Sequence, residues 1–140
     1  MSVEQNKATL KRMYDEVWNK GNWSIVPEVV SPDYQHGNYK GPEGWKQLVS
    51  SMRTAFPDLH DSIDQVIGEG DWLAYRVSNT GTFKAKYGDM EPTGKKLKMT
   101  QILFSQFKDS KLVATVALSD TLALYQSLGI APPGFEITNK

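Results

Sequence analysis

Asp120 is the residue whose type and position best suit proton transfer. It lies in the segment SDTLALYQSLG, where an apolar, strand-like stretch gives way to a helix-like one. A carboxyl group that ends such a strand and faces an apolar pocket is desolvated, and desolvation raises its pKa toward the range of a usable base. Asp is also a preferred helix N-cap, with Ser119 as the competing cap for the helix that follows. Spacing alone favours the capping role.

Two further polar residues are candidates for binding a ligand. His36 lies in the loop-like stretch YQHGNYKG, where it could act at the lip of a pocket or be an ordinary surface histidine. Gln106 lies within a strand-like segment, on the same face as Thr100, Ile102 and Phe104. Its amide could hydrogen-bond a ligand carbonyl or pair with a neighbouring side chain.

Aromatic residues would supply the apolar part of a pocket. Their helix and strand spacing favours a place in the core, while a subset could face a ligand: Tyr14, Trp18, Trp45 and Tyr75. The polar run that contains His60, Asp61 and Asp64 is interpreted as a solvated strand face.

Several chemistries lack the residues that they need. The chain has no cysteine, and its two histidines, His36 and His60, show no metal-ligand spacing to each other or to an acidic cluster. We therefore expect no metal site. The chain also has no glycine-rich phosphate loop and no G-x-S-x-G nucleophile elbow.

Length and charge narrow the class of protein. A chain of 140 residues fits one domain, predicted over 1–140. The 16 basic and 16 acidic residues give a formal net charge of zero, which argues against nucleic-acid and membrane-surface binding. No segment resembles the apolar run of a signal peptide or the roughly 20 apolar residues of a membrane span. The expected location is the cytoplasm.

Helices precede strands along the chain. Apolar residues recur at helical spacing in LKRMYDEVW, and two further helices are predicted in WSIVPEVV and in GPEGWKQLVSSMRTAFPD. Four strands follow, in DLHDSIDQVIGEG, DWLAYRVSNTGTF, KKLKMTQILFSQFKD and KLVATVALS, before a short helix that ends at Gly129. This order predicts an α+β fold in which a curved antiparallel sheet and the helices enclose a pocket.

The third predicted strand is apolar on both faces. One face carries Leu97, Met99, Leu103 and Phe107, and the other carries Thr100, Ile102, Phe104 and Gln106. Because a strand with two apolar faces is normally covered on both, we expect helices on one side and a second subunit on the other.

The chain also resembles a known family. It is similar to the SnoaL-like polyketide cyclases, ester cyclases of the nuclear transport factor 2-like superfamily, in LKRMYDEVWNKGNWSIVPEVVSPDYQHG, GPEGWKQLVSSMRTAFPDL, GDWLAYRVSNTGTF, PTGKK and SDTLALYQSLG. The resemblance implies a cone-shaped, curved antiparallel (mixed) sheet wrapped by three N-terminal helices, a cystatin-like α+β barrel. It also implies a homodimer formed through the sheet.

The resemblance further implies a reaction. The characterised cyclases close a ring by intramolecular aldol addition without metal or cofactor, and the Asp before the last short helix is their general base. That position is Asp120 in this chain. The expected substrate is a small, apolar, carbonyl-bearing compound, held by polar and aromatic side chains: Gln106, His36, Tyr14, Trp18, Trp45, Tyr75 and Phe104.

Gln106 stands where those cyclases carry a histidine, and a glutamine can hydrogen-bond but cannot transfer a proton. A second hypothesis therefore stays open, a non-catalytic small-molecule-binding or dimeric interaction module on the same fold. A third, ring opening of an epoxide, needs several pocket carboxylates, and the predicted strands offer few. The position of Asp120 discriminates between the first two hypotheses. A pocket carboxyl group favours the enzyme, and a solvent-exposed cap favours the binding module.

Overall fold

A computed structural model describes residues 2–132 of the chain. It contains four α-helices, α1 (Val3–Arg12), α2 (Val26–Val29), α3 (Gly41–Ala55) and α4 (Thr121–Leu128). It also contains six strands, β1 (Gln35–His36), β2 (Tyr39–Lys40), β3 (His60–Glu69), β4 (Trp72–Thr82), β5 (Lys96–Lys108) and β6 (Lys111–Ser119). The single-domain prediction over 1–140 also covers Met1 and residues 133–140, which lie outside the described residues.

The first helix begins at a capping box formed by Ser2 and Gln5. The backbone N–H of Gln5 donates to Ser2 Oγ at 3.1 Å, and the backbone N–H of Ser2 donates to Gln5 Oε1 at 3.0 Å, which completes a capping box. Beyond Arg12 the chain continues as one π-helical turn, Met13–Trp18, which the spacing did not predict. Such turns are rare and occur often at functional sites, because the extra residue re-aims the side chains around it.

The main sheet has the strand order β3-β4-β5-β6, and every neighbouring pair of strands is antiparallel. Within residues 2–132 the two edge strands, β3 and β6, do not pair with each other, so the sheet is curved but open. A parallel bridge between Val30 and Leu112 adds a mixed element beside β6. The predicted α+β class with a curved antiparallel sheet is confirmed, without closure into a barrel.

Within residues 2–132, helices cover one face of this sheet and leave the other uncovered. Burial alternates along β4 and β5, as expected when one face of a sheet packs on a core and the other does not. The inner face packs against α1, the π turn, α2 and α3 through a shared apolar cluster, and a second cluster around Phe56 and Phe83 packs against α4. The outer face carries exposed apolar side chains, which we call the outer patch: Ile67, Trp72, Ile102, Phe104, Val116 and Leu118.

The last helix lies across the end of β5 and ends where predicted. Gly129 adopts a left-handed conformation with φ 71°, which terminates α4 at low cost because glycine has no Cβ. No helix within residues 2–132 combines the length and the apolar character that a membrane crossing requires.

Candidate active site

A cavity of about 300 Å³ lies between the helices and the inner face of the sheet. Its volume is at the lower end of the range for small-molecule sites. Most of its wall is apolar, and aromatic rings form much of it: Tyr14, Trp18, Tyr34, Trp45, Tyr75 and Tyr87. The cavity therefore has the size and the surface to accept a small, largely apolar molecule.

Five of the residues that we predicted to contact a ligand line this cavity: Tyr14, Trp18, His36, Trp45 and Tyr75. Tyr14 comes from the π turn and packs edge-on against Tyr75 of β4, with ring centroids 6.0 Å apart. Trp18 stacks on Tyr14 at 6.0 Å and meets Trp45 of α3 edge-on at 6.1 Å. His36 borders the cavity from β1 and is otherwise exposed.

Gln106 and Phe104 lie on the outer face of the sheet, not in the cavity. Leu103 and Ser105, their neighbours on β5, are buried, and side chains alternate between the two faces of a strand. Phe104 is consequently 50% exposed and belongs to the outer patch. We expected Gln106 and Phe104 to contact a ligand in the pocket, and the structure corrects both expectations. The glutamine of this strand that lines the cavity is Gln101, which has the opposite parity.

Asp120 is exposed and caps α4. Its Oδ1 accepts a hydrogen bond from the backbone N–H of Ala123 at 3.1 Å, while Ser119 and Thr121 on either side of it line the cavity. This is the geometry of the capping alternative, and it corrects the expectation that the carboxyl group faces the pocket. A general-base role for Asp120 stays a prediction that rests on the family resemblance alone.

Asp61 was interpreted as part of a solvated strand face, and the structure corrects this interpretation. It lies on β3, is 5% exposed and lines the cavity. Burial raises its pKa to about 6, and the hydrogen bond from Asn79 and the charges of His60 and Arg53 lower it only in part. A signal was present in the sequence, because Asp61 alternates with Leu59 and Ile63 and so shares the apolar face of its strand.

Asn19 holds the backbone of Asp61 at two points. Its Oδ1 accepts from the Asp61 N–H at 2.7 Å, and its Nδ2 donates to the Asp61 carbonyl at 2.9 Å. Because β3 is an edge strand among the described residues, these backbone groups have no neighbouring strand there on that side. The backbone N–H of Asn19 itself donates to the Tyr14 carbonyl at 3.0 Å, which closes the π turn. The turn therefore positions both an aromatic wall residue and the clamp on Asp61.

Asn79 and Gln101 connect Asp61 on edge strand β3 to Ser119 on the opposite edge strand, β6. Asn79 Nδ2 donates to Asp61 Oδ1 at 2.8 Å and to Gln101 Oε1 at 3.0 Å. Gln101 Nε2 then donates to Ser119 Oγ at 2.9 Å. All four side chains line the cavity. The second carboxylate oxygen of Asp61 receives no hydrogen bond from any of residues 2–132.

Two tyrosine hydroxyl groups complete the polar part of the wall. Burial raises the pKa of Tyr14 well above its ordinary value, and the neighbouring Tyr75 and Asp61 raise it further. Burial also raises the pKa of Tyr75, whose hydroxyl group shares a 2.7 Å hydrogen bond with Ser105. Ser105 in turn shares one of 3.0 Å with Thr115. Both phenols are thus protonated at neutral pH and able to donate to a ligand oxygen.

Within the described part of the chain, no three His, Cys, Asp or Glu side chains come together as a group that could hold a metal ion.

The fold and the cavity define a class of protein, an open α+β cone that encloses a small aromatic pocket with a buried carboxyl group. The sequence matches the family of SnoaL-like polyketide cyclases over residues 8–128. The chain belongs to this family, as the resemblance in its segments predicted. No curated protein matches it.

Solved structures support the same fold. TsrD from Streptomyces laurentii is 19% identical, with a TM-score of 0.86 over 94% of this chain and 99% of that one. A protein from Jannaschia sp. CCS1, assigned as a SnoaL-like polyketide cyclase, is 22% identical, with a TM-score of 0.81 over 94% and 98%. A protein from Acidithiobacillus ferrooxidans, assigned as a polyketide cyclase, is 28% identical, with a TM-score of 0.77 over 92% and 98%.

Proposed function

We propose that this protein is an acid–base enzyme that cyclises or isomerises a small, apolar, carbonyl-bearing compound, with Asp61 as the general base. One observation carries the proposal. Asp61 is the single carboxyl group among the described residues that line the cavity, and its pKa of about 6 suits a base that works near neutral pH. This assignment moves the base from the exposed Asp120 to a carboxyl group inside the pocket.

The reaction begins with proton removal from the carbon next to the substrate carbonyl. The C–H bond breaks, and the proton moves to the free oxygen of Asp61. The electron pair forms a C=C bond and displaces the carbonyl π electrons onto oxygen, which gives an enolate. The hydroxyl groups of Tyr14 and Tyr75 can donate to that oxygen in an environment with little water. Neither phenol is ionised at neutral pH, so each has a proton to offer.

The enolate then has two outcomes. In an intramolecular aldol closure its carbon attacks a second carbonyl of the same molecule, a C–C bond forms, and the resulting alkoxide takes the proton back from Asp61. In an isomerisation the proton returns to a different carbon. Both routes leave the enzyme unchanged and need one group that accepts and returns a proton, which a carboxyl group with a pKa of about 6 can do.

Exchange of substrate protons with solvent tests this proposal without knowledge of the natural substrate. Aryl ketones and β-keto esters that fit the cavity are incubated with the protein in D₂O, and loss of the α-proton signal is followed by NMR. We expect exchange that Asp61→Asn slows by about 10²–10⁴-fold, with Asp120→Asn as the matched control that retains it. Full exchange in Asp61→Asn would refute the assignment, and loss in Asp120→Asn alone would return the role to that residue.

One observation favours a second candidate, the non-catalytic binding module. Asp120, the base that the family resemblance implies, has its carboxylate engaged as a helix cap at the surface. If calorimetry detects binding of the same ketones while no exchange occurs in wild-type protein, the cavity is a binding site and the enzyme proposal fails.

We also propose that the outer patch joins two copies of the chain. Phe104 faces Val116 across the β5–β6 pair, and Ile102 faces Leu118, so these exposed apolar side chains are contiguous. Contiguous apolar surface of this kind marks interaction sites, and one patch meeting its own copy gives a two-fold dimer. Sedimentation equilibrium should give the mass of a dimer for wild type and of a monomer for Phe104→Asp. A monomeric wild type across the micromolar range would contradict the proposal.

A further inference from the structure

One side chain from each strand of the main sheet joins in a single line of hydrogen bonds: Asp61 of β3, Asn79 of β4, Gln101 of β5 and Ser119 of β6. The backbone register holds the line in place, because Asp61 pairs with Asn79 and Gln101 pairs with Ser119 in the sheet. We propose that Asn79 and Gln101 are positioning residues that fix the carboxylate of Asp61 and turn its free oxygen toward the substrate. This inference rests on the proposed role of Asp61.

The hydrogen bonds run in one direction. An ionised carboxylate can only accept, so Asn79 must present its amide nitrogen to Asp61. Its second N–H then reaches Gln101 Oε1, which leaves the Gln101 nitrogen to donate to Ser119. Turning the Asn79 amide over would place its oxygen against the Asp61 and Gln101 oxygens, and turning the Gln101 amide over would place two N–H donors against each other. The orientation of both amides therefore follows from the charge on Asp61. The hydrogen bond from Asn79 in turn fixes the position of the Asp61 carboxylate.

Asn79, in the middle of the line, is buried with one polar group unpaired. Asn79 is 2% exposed, and its Oδ1 has no hydrogen-bond partner within residues 2–132. Both of its donors are thus committed to the line while its acceptor is left unsatisfied. A buried amide that leaves one group unpaired weakens the fold, and such groups are often associated with sites of function.

Asn79 is the one residue in the described chain that donates a hydrogen bond to the Asp61 carboxylate. The other titratable groups near that carboxyl are Tyr14 of the π turn, Tyr75 of β4, Arg53 of α3 and its own neighbour His60. Loss of the Asn79 donor removes an interaction that favours the charged form, so the pKa of Asp61 should rise from about 6. Loss of Gln101 should raise it less, because Asn79 keeps its donor but loses its anchor.

The test is an NMR titration of the Asp61 side-chain carboxyl carbon in ligand-free protein. We expect a higher midpoint in Asn79→Leu and a smaller rise in Gln101→Leu. Gln106→Leu is the matched control, since it removes the same side chain from the same strand on the opposite face, and it should leave the midpoint unchanged. If Asn79→Leu does not fold, Asn79→Ala removes the same donor without adding an apolar side chain to be packed.

A second readout separates positioning from structural support. The measured quantity is kcat/KM for α-proton exchange of the same ketones. The pH at which it falls on the acid side should move with the NMR midpoint in each variant, and kcat should fall more than KM rises. Unchanged midpoints in Asn79→Leu, or equal shifts in Gln101→Leu and Gln106→Leu, would overturn the inference. The titration needs no substrate, so it stands or falls apart from the exchange experiment on Asp61→Asn.

Discussion

Asp61 and Asp120 are two aspartates beside one cavity, and they differ in what surrounds them. Asp61 is buried in the wall, where one oxygen accepts from the Asn79 amide and the other has no donor within residues 2–132. Asp120 is exposed at the start of α4, where its Oδ1 accepts from the Ala123 backbone. The two aspartates share residue type and proximity to the pocket, and each has one carboxylate oxygen that accepts a hydrogen bond. They differ in burial, and burial is what raises the pKa of a carboxyl group toward the range of a usable base.

The rate of proton transfer offers the largest contrast between the two sites. In wild-type protein, kcat/KM for exchange should rise with pH through about 6 and then level off, because Asp61 must lose its proton to act as a base. Asp120→Asn should keep this profile. Asp61→Asn should lower the exchange rate at every pH and abolish its rise near pH 6. A profile that changes in Asp120→Asn would reverse the ranking of the two carboxyl groups.

The free energy of unfolding should also differ between variants at the two sites, by less than the exchange rate does. The folded-state pKa of Asp61 is about 6 against an ordinary value of 3.8, so the native state holds its proton more tightly than the unfolded chain does. The contribution of Asp61 to stability is therefore fully present below pH 4 and is lost as pH rises through about 6. At pH 8 the loss is roughly 3 kcal/mol, from 1.36 kcal/mol per pKa unit.

Asp61→Asn should consequently raise the free energy of unfolding at pH 8 and reduce its decline between pH 4 and 7, while it lowers activity. Urea unfolding at several pH values measures both effects. A variant that is less stable than wild type at pH 8 would mean that the ionised carboxylate contributes favourable contacts that outweigh its desolvation.

The cap at Asp120 should have the smallest effect, and on stability alone. Asp120→Ala removes the acceptor for the Ala123 N–H and should cost about 1 kcal/mol, whereas Asp120→Asn should be close to neutral because Asn caps about as well as Asp. Thermal unfolding of the two variants checks this order. Equal losses in both would show that the charge, and not the hydrogen bond, matters at this helix end.

The elements of the fold were predictable because their signals are local. The last helix ends at Gly129, where the sequence indicates. The four strands are found within the predicted segments, each set by turn residues and β-branched or aromatic side chains. The π turn was not predictable, since an α-helix and a π turn share the same apolar pattern over six residues.

The candidate site was less predictable because it depends on which face of the sheet the helices cover. Five of the expected ligand-contacting side chains line the cavity, while Gln106 and Phe104 lie outside it. On β5 both faces are apolar, so alternation separates the residues into two sets without indicating which set is inner. Asp61 was missed for a related reason, because its polar neighbours His60 and Asp64 were given more weight than its alternation with the apolar Leu59 and Ile63.

By itself, the sequence determined the α+β order of elements and the two sets of side chains on each strand, because periodicity and turn residues act over a few positions. The family followed from the resemblance of whole segments of the chain. Tertiary structure alone decided that Gln101 faces the cavity and Gln106 does not, and that Asp61 is buried while Asp120 caps a helix. The physical reason is that the pKa of a carboxyl group depends on the solvent and dipoles around it, and residues distant in the chain supply these.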